Sequence, residues 1–237
     1  MLTKAGAGAI IHNLNAKCNI IIRQFINLYQ KGVKHAMKLQ IVVIKPDVIR
    51  TQDKMLDEKQ KDDAYYMGRN FLRDLPIVGG YYDRTAAKQT LQHALKATGL
   101  KEVPLIESNH LTNNWLQMEN DLGIIIPPYE EFFDKPAEQL LQTWGPAWAM
   151  REHYKQEIMK IAGQQGKRVA LSLGEPSFHP VVLICSYGLL ELAAPKLHEL
   201  TLLKPGEVIK FFVQVGINWN NGRNPTGVQI IHGQKLH

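Results

Sequence analysis

Two cysteines in 237 residues, Cys18 and Cys185, are too few for a disulfide framework or a cysteine-rich zinc site. They read as unpaired thiols in a reducing compartment, each behaving as a small hydrophobe. Long apolar runs are missing as well. The longest, Pro180 to Ala194, carries Glu191 and falls short of the ~18–20 residues needed to cross a bilayer, so it reads as a buried strand or core helix. Acids are nearly absent from the first fifth of the chain. Residues 1–50 hold 8 Lys/Arg and one acid, Asp47, whereas residues 51–237 hold 20 Lys/Arg against 21 Asp/Glu. The net charge of +6 therefore belongs to the N-terminus, and the body is close to neutral. A near-neutral body without basic clusters argues against nucleic-acid binding by the body itself.

Sequence signatures of catalysis are also lacking. There is no Gly-x-x-x-x-Gly-Lys-Ser/Thr phosphate loop and no Gly-x-Gly-x-x-Gly fingerprint, and Ser172 sits between Leu171 and Leu173 rather than in a Gly-x-Ser-x-Gly elbow. The nine histidines are scattered, with no His-x-His or His-x-x-x-His pair, so no metal site and no cofactor are expected. Glu175, Ser177 and His179 share a Pro-flanked loop that has the residue types for acid–base work. Such loops as readily just connect strands.

What is present divides into three regions: a basic arm with the first strand over 1–50, a mainly helical region over 51–165, and a β-rich region over 166–237. Stepping ~100° per residue from Cys18 to Met37 aligns Cys18, Ile22, Phe25, Tyr29, Val33 and Ala36 on one stripe. Arg23, Lys31, Lys34 and Lys38 fall opposite, so the spacing predicts an amphipathic helix with one apolar and one basic face. Those seven residues, Ile22, Arg23, Phe25, Tyr29, Lys31, Lys34 and Lys38, are the candidate contacts of the arm. An acid-poor, basic, amphipathic N-terminus has the texture of an organellar address, a membrane-surface helix, or a tail between RNA phosphates.

In the body, Leu39 to Ile44 reads as a strand closed by Lys45-Pro46-Asp47, and Leu75 to Gly80 as a short extended piece ended by glycines. Asp83 to Gly99 is the clearest helix, with Asp83 as N-cap. Val103 to Ile106 reads as a strand and Thr112 to Gly123 as a helix. A helix starting after Asp134 is followed directly by another from Pro146 to Gly163, with Trp148, Tyr154, Ile158 and Ile161 inward. Arg168–Leu173, Val181–Cys185, Leu200–Leu203, Val208–Val215 and Val228–Ile231 read as strands. An Asn-Gly hairpin turn at 220–223 joins the last two. In the doublets Tyr65-Tyr66, Tyr81-Tyr82 and Phe132-Phe133, one ring is expected inside and its neighbour outside. The fold class is α+β, helical in the first half and antiparallel β-rich in the last third.

One segment, Ile41-Val42-Val43-Ile44-Lys45-Pro46-Asp47-Val48-Ile49-Arg50, resembles the first strand of nucleoside diphosphate kinases, where a hydrophobic run ends in Ile-Lys-Pro-Asp. In that family the phosphorylated histidine lies in Asn-x-x-His-Gly-Ser-Asp. Here the sole His-Gly, His232-Gly233, is followed by Gln234, so the resemblance implies no kinase.

Taken together, these features make the chain a non-enzymatic accessory or structural subunit of a large mitochondrial assembly. The arm (1–38) would meet other protein subunits, an anionic membrane surface or rRNA. A respiratory or ATP synthase complex at the matrix face of the inner membrane ranks first. A mitochondrial ribosomal protein is the alternative, and a degenerate nucleotide-related enzyme built on Lys45 comes third.

Overall fold

The computed structural model describes residues 36–47, 55–100, 102–111, 133–219 and 222–236. The stripe and basic residues of the predicted arm up to Lys34, and the predicted helix over 112–123, lie outside them. Ala36, Met37 and Lys38 are described, and they lie in a strand rather than at the end of a helix.

Strands β1 (Ala36–Ile44), β2 (Ile77–Tyr82), β3 (Leu105–Glu107) and β4 (Val181–Cys185) run parallel in the order β3-β2-β4-β1. Beyond β1 lie β5 (Val208–Asn218) and β6 (Asn224–Leu236), which pair antiparallel. The Lys45 N–H donates to the Glu207 carbonyl and the Gly206 N–H to the Lys45 carbonyl, both at 3.0 Å. The start of β5 therefore lies at the end of β1, and the two strands are antiparallel. Helices α1 (Glu58–Phe71) and α2 (Thr85–Lys96) cover one face, and α3 (Ala137–Thr143) and α4 (Pro146–Leu173) lie on the other. The predicted α+β content holds. The sheet is mixed, however, with three of its parallel strands in the half expected to be helical.

Alternation along β1 builds both cores. Leu39, Ile41 and Val43 pack with Met150, Tyr154 and Ile158 of α4, while Val42 and Ile44 pack with Met67 of α1 and Leu91 and Leu95 of α2. Where strands are covered on both faces, at 41–44, 77–82 and 181–185, they carry no charged side chain, as parallel strands generally read as near-continuous apolar runs. This is why Tyr81 and Tyr82 are both buried, contrary to the one-in, one-out expectation, whereas Tyr65 and Tyr66 are both exposed. It is also why β2 continues through its glycine pair. A Cβ on Gly80 would come within 2.7 Å of Leu105 and 3.4 Å of Leu91.

The largest departure from expectation is α4, which is 28 residues long and absorbs the predicted strand Arg168–Leu173. Its buried positions Ile158, Ile161, Ala162, Gln165, Gly166, Val169 and Ala170 follow i, i+3, i+4, i+7 spacing without a break. Gly163, which seemed to end the helix, is a contact point, its added Cβ 3.4 Å from Val228 of β6. A Cβ on Gly166 would stand 2.9 Å from Val215 of β5. The Gln165 amide donates to the Tyr81 hydroxyl at 2.8 Å and joins α4 to β2 inside the core. Trp148, expected in the core, is half exposed and carries Arg151 over its ring. Leu200–Leu203 is not a strand, and only Thr201 forms an isolated bridge, to Pro136. Among the described residues no helix is long and apolar enough to cross a membrane.

Helices α1 and α2 touch at Gly68, where a Cβ would overlap the Ala94 backbone. Gly68→Ala is expected to lose about 1–3 kcal/mol in urea unfolding, the usual cost of overpacking. Gly145→Ala, at φ −50° and with nothing near its Cβ, is expected to be neutral or slightly stabilising. Equal effects of the two substitutions would refute the close-packed α1–α2 contact.

Candidate functional site

In open sheets of this kind, ligands bind outside the carboxyl ends of the parallel strands, where the connections diverge. Here Lys45 follows β1, Asp83 and Arg84 follow β2, Ser108 follows β3, and Ser186, Tyr187 and Gly188 follow β4. The loop with Glu175, Ser177 and His179 precedes β4, at the opposite edge, so it stands apart from this cluster.

The centre of the edge is closed. Asp83 is 5% exposed and Ser186 fully buried. Asp83 Oδ2 accepts from the Ser186 hydroxyl at 2.7 Å and from the Tyr187 N–H at 2.9 Å, so Asp83 does not cap α2 as its position in the sequence predicted. Ser186 Oγ in turn accepts from the Gly188 N–H at 2.9 Å and lies 2.9 Å from the Leu111 carbonyl. The hydroxyl has one proton for two acceptors, and a charged carboxylate is the stronger one. Asp83 Oδ1 is buried and has no hydrogen-bond partner. Burial pushes the Asp83 carboxyl above its ordinary range, against the opposing pull of its Ser186 and Tyr187 hydrogen bonds. Leu56, Ala86 and Tyr187 form a small apolar plug, and Arg84 lies 5.5 Å over the Tyr187 ring. Burial likewise drives the Cys185 thiol well above its ordinary range, which suits an inert structural cysteine.

Beside this plug is an open crevice of about 270 Å³ between the end of β1, α1 and the turn before β5. Lys45, Asp47, Gln60, Asp63, Thr90 and Glu207 supply its polar lining. Gln60, Glu207 and Lys45 are each held by a local device. Asp57 and Gln60 form a reciprocal capping box at the start of α1, and the Gln60 amide donates to the Asp47 carbonyl at 2.6 Å. Glu207 accepts from the Lys204 N–H and pairs with Lys235 at 2.6 Å. The Lys45 ammonium donates to the Tyr187 and Gly188 carbonyls at 3.1 and 2.7 Å, so its charge is anchored where the plug meets the crevice. Among the described residues, Asp47 and Asp63 have no ion-pair partner, and no three His, Cys, Asp or Glu side chains stand together as a metal site.

Of the residues predicted as arm contacts, Ile22, Arg23, Phe25, Tyr29, Lys31 and Lys34 lie outside the described residues, and Lys38 is an exposed residue of β1. None of them belongs to the crevice. Sequence reasoning singled out Lys45 through its strand-ending motif but missed Asp63 and Glu207, which lie 18 and 162 positions away.

No protein-family model matches the chain, and no curated protein matches its sequence. Solved structures match at low identity. A phosphoglycerate mutase from Bacillus anthracis is 17% identical, covering 83% of this chain and 94% of that one, with a TM-score of 0.48. A mycobacterial glucosyl-3-phosphoglycerate phosphatase is 15% identical, covering 83% and 98%, at 0.46. An Entamoeba histolytica phosphoserine phosphatase mutant, in complex with phosphoserine, is 14% identical, covering 81% and 96%, at 0.39. Likeness at these levels assigns neither a family nor an activity to this chain. These proteins are nonetheless enzymes by name, and none is named as a subunit of an assembly. The expectation of a non-enzymatic accessory subunit of a mitochondrial complex, respiratory or ribosomal, is therefore corrected and withdrawn.

The titration of Asp83 has a definite sign. Its folded pKa lies above the unfolded one, so the protonated side chain contributes stability that is complete below the unfolded value and is lost as pH rises through the folded value. The Tm of Asp83→Asn relative to wild type is expected to increase between pH 4 and pH 7. A difference that stays flat or falls over that range would refute the buried, proton-retaining carboxyl.

Proposed function

We propose that the chain binds and acts on a small zwitterionic molecule, one carrying both an amino group and an acidic group, in the crevice beside the end of β1. The observation that carries this reading is the polar lining. One anchored ammonium, Lys45, shares the cavity with the carboxylates Asp47, Asp63 and Glu207 and with neutral Gln60 and Thr90. Glu207 is already matched by Lys235, which leaves Asp47 and Asp63 to attract a ligand ammonium while Lys45 attracts the acidic group. A ligand of one sign alone would face a like charge across the cavity. The volume is at or below the lower end of ordinary small-molecule sites, so the ligand is a metabolite of modest size.

The test is calorimetric titration of the full chain with serine, phosphoserine, 3-phosphoglycerate and putrescine. Each titration is paired with an assay for released inorganic phosphate wherever the probe carries one. Serine or phosphoserine is expected to bind, with 3-phosphoglycerate and putrescine weaker by at least about tenfold, since each lacks one charge contact worth ~1.4 kcal/mol or more. Lys45→Met and Asp63→Asn are each expected to weaken the binding by a similar factor. The reading fails if neither zwitterion binds, or if binding is indifferent to both substitutions. Phosphate release from phosphoserine that disappears in Lys45→Met would identify the reaction as ester hydrolysis.

A further inference from the structure

We propose that buried Asp83 is the positioning residue for Lys45. This rests on the crevice reading for its importance to ligand binding, but not for its geometry. The connection runs through one turn of backbone. Asp83 Oδ2 holds the Tyr187 N–H at 2.9 Å and the Ser186 hydroxyl at 2.7 Å. Ser186 Oγ holds the Gly188 N–H at 2.9 Å. Residues 186–188 are thus fixed from the amide side by one carboxylate and the hydroxyl it orients. Their outward carbonyls, of Tyr187 and Gly188, receive the Lys45 ammonium.

The placement of the cationic wall of the crevice is therefore set by a group that never touches the crevice, since Asp83 is 5% exposed and does not line it. A turn held by three hydrogen bonds from one side cannot rotate its carbonyls away from the amine without breaking at least one of them. Asp83 Oδ2, the nearer of the two acceptors at 2.7 against 2.9 Å, takes the single Ser186 proton and so leaves Oγ oriented to receive the Gly188 N–H.

The experiment needs no ligand. Amine-selective labelling of the full chain is followed by mass spectrometry, with the rate at Lys45 referred to exposed Lys59 in the same molecule. In wild type, Lys45 is expected to label slowly. Asp83→Ala and Ser186→Ala are expected to raise the Lys45/Lys59 ratio about tenfold, the factor that follows from losing one hydrogen bond to a charged group. Asp83→Asn, whose oxygen still accepts from Ser186 and Tyr187, is expected to stay near the wild-type ratio. A folded Asp83→Ala protein with an unchanged ratio overturns the proposal. If that variant does not fold, Ser186→Ala decides on the same criterion. Because the readout is lysine protection, a failure of zwitterion binding leaves this result separately interpretable.

Discussion

The rest of the structure depends on burying three parallel strands, β1, β2 and β4, on both faces. Once α1 and α2 cover one side and α4 the other, a polar side chain on the strands costs free energy unless it finds a partner. Between α4 and β2 the Gln165 amide donates to the Tyr81 hydroxyl, while Gln165 Oε1 is buried with no hydrogen-bond partner. The covered stretch Ile41–Ile44 of β1, together with β2 and β4, carries no charged side chain, and charge appears where these strands end and the chain turns. The carboxyl edge inherits Lys45, Asp83, Arg84 and Ser186 for this reason alone.

At that edge burial and charge divide the work. The middle is closed by Leu56, Ala86 and Tyr187, and Asp83 is sealed beneath them as a tie between β2 and β4. The open space is shifted sideways toward the junction of β1 and β5, where the antiparallel pair joins the parallel part of the sheet. The mixed sheet thus has a functional consequence. The turn at Lys204–Glu207 brings a carboxylate to the end of β1 that an all-parallel sheet would not supply.

How much of this was legible in the sequence varies element by element. The strands at Leu39–Ile44 and Val181–Cys185 and the helix around Leu91–Leu95 were legible because local apolar patterning and burial agree there. The last quarter of α4 was not, because Gly163 looks like a helix end until Val228 is seen pressed against it. Asp83 looked like an N-cap because an acid before a helix normally is one. A partner 103 residues away, Ser186, claims its carboxylate instead. Of the candidate site only Lys45 stood out. Its acidic partners lie on a helix face and in a turn that carry no mark of their own.

By itself the sequence determined composition, the run of buried strands, the helical stripes, and the division of charge between a basic N-terminus and a neutral body. These are properties of neighbouring residues, readable at periods of two and 3.6. Only the tertiary structure decided that the strands run parallel, that Tyr81 and Tyr82 are both inside, and that Lys45 shares a cavity with Asp63 and Glu207. Those facts arise from contacts between residues tens to hundreds of positions apart. Pattern along the chain does not encode such contacts, and only the packing of α1, α4 and the sheet brings them within reach of one another.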